Sequence, residues 1–270
     1  MNWWGRIKQG LETPEKGAGT MTLRLTDLAV VTYAVPTARV LPHLPPGFTP
    51  DQLPSADGDL VSFAQTTCAF CLDARWSPAP LGTGRAYREI TYRILGRRTS
   101  GHPAAFLVRS FYSADQVYLA SRAVQRDADF ARVSVQISGD PVRGIFTGYK
   151  LRATADRGTT EWEVATRETE DAAVPAPFGN LPDMAHFLLR REATYFKPSA
   201  APKGWLGFAP AAFPAQMPPP TLGVLKSARL TPWRELGVLS LEEMTTPHSV
   251  LFVPALSITA YPPRPVKSPA

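Results

Sequence analysis

Apolar and polar residues alternate with a period of two through much of this chain. The alternation predicts strands over residues 28–33, 60–72, 87–95, 104–112, 131–138, 145–154, 160–166, 223–230 and 250–261. Helical spacing is confined to three places. In "SADQVYLASRAVQRD", Ser113 followed by Gln116 reads as a capping box, and Val117, Ala120 and Val124 recur on one face. "NLPDMAHFLLRR" offers Asn180 as an N-cap with Pro182 in the first turn, and a shorter helix is predicted over 37–44. Twenty-eight prolines and nineteen glycines divide the remainder into short pieces, so the chain is predominantly β with few helices.

One strand departs from the inside–outside pattern. In "AYREITYRIL", residues 86–95, a two-residue period sends Tyr87, Glu89, Thr91 and Arg93 one way and Arg88, Ile90, Tyr92 and Ile94 the other. Neither face reads as solvent, which is the signature of a strand covered on both sides.

No repeat divides the chain, and a length of 270 residues suits one large domain. Residues 1–20 read as a flexible extension and 21–266 as a single domain. That domain includes a proline-rich excursion over 198–220, whose seven prolines exclude a regular helix or central strand. Trp205, Phe208 and Phe213 in it require cover, so it is expected to be ordered.

Charge narrows the partners. Twenty-nine basic against twenty-three acidic side chains give +6 and a pI near 9.5, yet the basic residues are scattered, with no stripe interleaved with aromatics. This argues against nucleic acid and favours small anionic molecules. There is no apolar run of the roughly 18 residues that a spanning helix needs, and no secretory leader. Trp3, Trp4 and Ile7 make too short a stretch for firm interfacial binding, which argues against a membrane partner. Cytoplasmic placement follows, and two cysteines, Cys68 and Cys71, agree with a reducing compartment. Three apart on a strand, they point to opposite faces, and the four histidines show no ligand spacing, so neither a metal nor a cofactor is expected. Self-association is left open.

The order of several stretches carries further information. "VVTYAVPTARVLPHLPPGF", "YREITYRI", "FLVRSFYSADQVYLASR" and "VLFVPALSITAYPPRPV" follow one another as in the acetoacetate decarboxylase-like superfamily, which the chain resembles from about residue 23 onward. The resemblance implies an α+β, mainly β fold: a closed, cone-shaped antiparallel barrel with flanking helices and an internal cavity. In the decarboxylases a lysine forms a Schiff base with the substrate ketone, activated by a second lysine beside it. Carried onto this sequence, Arg122 matches the family arginine at the helix end, while Asp129 and Phe130 fall where the paired lysines would stand. Thr26 takes the place of an early active-site arginine, with Arg24 two residues away. Glu89 matches the glutamate of the family's Tyr-x-Glu strand, implied to face the cavity and handle a proton. Lys150 and Lys226, in predicted strands, are the candidates for a relocated amine.

A cavity-facing Glu89 needs a partner. Arg93 shares its face but lies about 13 Å along the strand. A hairpin register pairing Ile94 with Ala104 would instead set Arg109 opposite Glu89. The expected site is therefore Glu89 as acid or base, with Arg109, Arg93, Tyr87, Thr91, Arg24 and Arg122 as ligand-binding residues. The alternative for Glu89 and Arg109 is a structural ion pair. Three functions follow: a small-molecule-binding barrel for an anionic or carbonyl-bearing ligand; a lyase or decarboxylase-like enzyme working through Glu89 without the Schiff-base lysine; and an interaction protein whose barrel is filled by side chains.

Overall fold

A computed structural model describes residues 20–77, 81–82, 86–98, 101–167, 173–199, 206–208, 210–212, 219–260 and 264–265. Residues 1–19, and Trp205 and Phe213 of the proline-rich excursion, lie outside the described residues.

Nine strands form the wall: β1 (Thr20–Pro36), β2 (Leu60–Ser77), β3 (Tyr87–Arg98), β4 (Pro103–Tyr112), β5 (Ala128–Asp140), β6 (Ile145–Ala155), β7 (Gly158–Thr166), β8 (Thr221–Leu230) and β9 (Ser249–Val253). Each pairs antiparallel with the next, and β9 returns to β1, so the sheet closes into a barrel. The exception is the joint between β4 and β5. It is parallel and consists of Ser110↔Ala128, Phe111↔Asp129 and Tyr112↔Phe130. The earlier half of β4 pairs instead, also in parallel, with Ala193–Phe196. The predicted run 250–261 is broken at Pro254 into β9 and Leu256–Ala260, which pair with successive parts of β1.

Among the described residues four α-helices accompany the wall: α1 (Thr37–Val40), α2 (Asp115–Val124), α3 (Leu181–Leu189) and α4 (Thr231–Glu235). Asn180 caps α3 as its sequence suggests, its Oδ1 accepting the Asp183 N–H at 2.8 Å. The capping box expected for α2 does not form. Ser113 is taken up by the sheet: its Oγ accepts the Arg88 N–H at 2.8 Å and its own N–H donates to the Arg88 carbonyl.

The barrel interior is packed. Val31, Ile90, Tyr92, Phe111, Tyr149 and Trp233 belong to one continuous apolar cluster fed by all nine strands. Hydrogen bonds cross it: Tyr92 to Thr160, Trp233 Nε1 to Thr66 at 2.8 Å, and Tyr149 to the Asp27 carbonyl at 3.3 Å. Each large ring fully withdrawn from water contributes roughly 1.5–3 kcal/mol, and the polar tips of Tyr92, Tyr149 and Trp233 find partners across the core. Among the described residues the barrel interior is thus occupied by apolar and aromatic side chains.

The outer face differs around the ring. On β6 to β8 it carries the exposed pairs Lys150–Glu163 and Arg152–Glu161, which explains the strict alternation there. On β1 to β4 it is covered. Met184, Ala185 and Leu188 of α3 pack on Val30, Phe63, Leu95 and Ala105, whereas Val117 of α2 packs with Tyr87, Tyr112 and Cys71. Between these two apolar patches runs a band of polar side chains.

Candidate functional site

The band is built on the odd-numbered face of β3. Cross-strand pairing sets Gln65 beside Arg93, Thr67 beside Thr91, and Ala69 beside Glu89 on β2, with Ser110 beside Thr91 and Tyr112 beside Glu89 on β4. A row therefore reads Ala69, Glu89, Tyr112 and, through the parallel joint, Phe130. Ala69 leaves room next to Glu89. Tyr87, Thr91, Thr67, Ala69 and Tyr112 each keep 6–7% of their surface accessible, whereas Cys68, Ile90, Tyr92 and Phe111 on the opposite face keep none. Glu89 and Arg93 keep more. Slight residual exposure thus recurs along this covered face, the polar band beneath α2 and α3, although Gln65 and Ser110 on it keep none.

Within this band the hydroxyls of Thr67 and Thr91 bond to each other at 2.6 Å. The Tyr112 hydroxyl donates to Glu89 Oε1 at 3.5 Å and also interacts with Ser121 of α2 and Ser110. Gln125, just beyond α2, donates to Ser110 Oγ at 2.9 Å. Among the described residues no cation lies within ion-pairing distance of Glu89. Burial pushes its carboxyl up to about 7, against the smaller opposing pulls of the Tyr112 hydrogen bond and the Arg93 charge. Burial lowers Arg93 to about 10, helped by Arg191. The site thus holds a carboxyl poised to give or take a proton near neutrality, ringed by hydroxyls, with a guanidinium farther along the same face.

Comparison with solved structures bears on this architecture. An acetoacetate decarboxylase-like enzyme from Sphingomonas wittichii RW1 superposes with a TM-score of 0.60 at 11% identity, over 94% of this chain and 95% of that one. Acetoacetate decarboxylase from Legionella pneumophila gives 0.59 at 10% identity, over 97% and 95%. The chain has the acetoacetate decarboxylase-like fold. The enduracididine biosynthesis enzyme MppR shares that fold, and its complex with pyruvate superposes at 0.53 with 12% identity, over 96% and 95%. No family model and no curated protein sequence matches the chain.

Within the acetoacetate decarboxylase-like fold, the expected residues divide into two groups. Glu89, Tyr87, Thr91 and Arg93 share one face as anticipated, but it is the outer face of the barrel wall rather than the interior. Arg109 is not opposite Glu89. The register places Ile94 beside Phe106, and a bulge at Val108 sets Arg109 beside Tyr92, on the other face of the sheet. There Arg109 Nη1 binds the Arg157 carbonyl and Glu235 Oε2. Arg24 is exposed, and Leu23 and Leu25 beside it are the residues that pack with Tyr87 and Tyr112. Arg122 is exposed in the last turn of α2.

The two positions matched to paired lysines separate across the sheet. Phe130 joins the Glu89 row, and Asp129 lies on the inner side with Phe111, held by Arg157 Nε at 3.0 Å. Lys150 and Lys226 both stand on the exposed outer wall near Glu163. Cys68 is sealed in the core, while Cys71 lies on the opposite face with Tyr87. No group of three metal-ligating side chains occurs among the described residues, and no helix among them is long and apolar enough to cross a membrane. Sequence reasoning missed Gln65, Thr67, Ser110, Tyr112 and Gln125. The two-residue period offered a signal for Gln65 and Thr67, polar residues that fall on the same face of one strand.

Proposed function

We propose that the chain binds a small carboxylate- or carbonyl-bearing organic molecule in a hollow along the polar band outside the β1–β4 wall, with Glu89 as the group that exchanges a proton with it. The observation that carries this reading is the placement of Glu89: a carboxyl deep in a covered sheet face, hydrogen-bonded to a phenol and lacking a described ion-pair partner. A purely structural carboxylate at such depth would be paired, because an unpaired one is costly. Arg93, Thr91 and Tyr87 line the same side and supply charge, a hydroxyl and a ring for orientation. The apolar packing of the described interior residues supports this face over the lumen as the ligand's place. The fold is compatible with such a role, and a neighbour of the same fold was solved with pyruvate.

A second reading, a lyase-like activity, draws support from a carboxyl held at about 7. In a decarboxylation the carbon–carbon bond to the carboxylate breaks, carbon dioxide leaves, and the electron pair is taken up by the adjacent carbonyl as an enolate. Protonated Glu89 then supplies the proton to carbon and is reprotonated from water.

Both readings are tested with pyruvate and with small 3-keto acids on wild type and Glu89→Gln. Ligand-observed NMR reports binding, while carbon dioxide release from the 3-keto acids and deuterium uptake at the carbon next to the ketone report proton transfer. Binding by wild type, with exchange or release lost in a folded Glu89→Gln, supports the assignment. Failure of every keto acid to bind would overturn the first reading. Bound ligand with exchange unaffected by the substitution would overturn the second.

A further inference from the structure

The polar band holds a cation whose charge the described residues leave open. Arg93 donates from Nε to Gln65 Oε1 at 2.7 Å, and no described carboxylate lies within ion-pairing distance of it. The nearby Arg191 shares Asp51 with Arg97, and its positive charge bears on Arg93. A desolvated guanidinium without a counter-ion is costly, and natural proteins place one where an anion arrives.

Gln65 keeps Arg93 in that condition. It is fully buried, and its amide nitrogen donates to Thr32 Oγ1 and to the Leu188 carbonyl, each at 3.1 Å. Leu188 lies in the last turn of α3, where carbonyls lack partners within the helix. A carbonyl can only accept, so the NH₂ group must face Leu188 and the oxygen must face Arg93. The amide is locked in one orientation and presents a neutral acceptor where a glutamate would cancel the charge.

We infer that Gln65 is a positioning residue that holds Arg93 oriented and uncompensated, so that the hollow selects a ligand bearing a carboxylate over a neutral carbonyl compound of the same shape. This rests on the reading of the hollow as a ligand site and adds the class of ligand and the means of selection.

The experiment compares pyruvate with pyruvamide, its neutral isostere, on wild type, Gln65→Glu and Gln65→Met. Affinities are measured by ligand-observed NMR titration, and folding is verified by circular dichroism. Wild type is expected to prefer pyruvate by about tenfold or more, the scale of one charge-assisted hydrogen bond. Gln65→Glu sets a carboxylate on Arg93 and abolishes that preference, read as the ratio of the pyruvate and pyruvamide affinities within the variant. Gln65→Met, which keeps the volume and adds no charge, weakens the preference through a less fixed Arg93 and serves if Gln65→Glu does not fold. An unaltered pyruvate-to-pyruvamide ratio in a folded variant overturns the inference and leaves the ligand site standing. Wild type that binds neither compound overturns the ligand site, and the inference with it.

Discussion

Tyr112 stands directly opposite Glu89 across the β3–β4 pair, its hydroxyl donating to Glu89 Oε1 at 3.5 Å. This hydrogen bond favours the ionised carboxylate and pulls against the burial that raises the carboxyl to about 7. At such a length it contributes on the order of 0.5 kcal/mol. Tyr112→Phe should therefore move the Glu89 titration to higher pH. Infrared absorption of the protonated carboxyl, followed against pH with Glu89→Gln as the blank, reads the shift; an unmoved or lowered midpoint would contradict this role.

The same carboxyl makes stability depend on pH. Its folded-state value of about 7 lies above the ordinary 4.5. Below the ordinary value both states are protonated and Glu89 carries no penalty. Between the two values the unfolded chain releases the proton while the native state keeps it, so stability falls as pH rises through this window. The full cost, roughly 3 kcal/mol before solvent screening, is present above about pH 7. Relative to wild type, Glu89→Gln should gain stability between pH 4 and pH 8, as measured by urea unfolding at each pH. A constant difference would exclude the titration.

Asp51 is almost fully buried and pairs with both Arg191, itself buried, and Arg97. Asp51→Asn leaves the Arg191 charge without compensation, at a cost of about 3–5 kcal/mol. Breaking the exposed Arg152–Glu161 pair with Arg152→Gln should cost less than about 1 kcal/mol. Equal shifts in urea midpoint for the two variants would refute the contrast.

Lys150 and Lys226 are about half exposed and lie near Glu163 on the outer wall, away from the polar band. Neither amine stands in the desolvated, cation-flanked pocket that activates a lysine as a nucleophile. Borohydride reduction in the presence of a keto acid should leave both unmodified in a peptide map. An adduct on either would return amine chemistry to this chain.

The wall was legible because alternation is a local property. All nine predicted strands form, and the double cover of β3 shows in Glu89 and Arg93 flanking apolar residues within one run. What alternation cannot give is which side of a covered strand is the inside. Ile90 and Tyr92 meet residues from distant strands, and only closure of the ring reveals that. Register escaped for a similar reason: one extra residue at Val108 displaced Arg109 from Glu89 and put Tyr112 in its place. The role of Gln65 escaped because it depends on the Leu188 carbonyl, 123 positions away in the sequence.

The parallel joint between β4 and β5 holds only three residue pairs, against fifteen between β1 and β2. Wall segments part most readily where fewest hydrogen bonds must be given up together, which makes this joint, with the equally short β8–β9 pairing, one of the two seams of the ring that open most easily. Tyr112 and Phe130 are one of its three pairs and belong to the Glu89 row. Brief separation there would widen the hollow from its side without unfolding the core. Amide hydrogens of 110–112 and 128–130 should accordingly exchange with solvent sooner than those at the centre of β1, and a bound ligand that bridges the row should slow them.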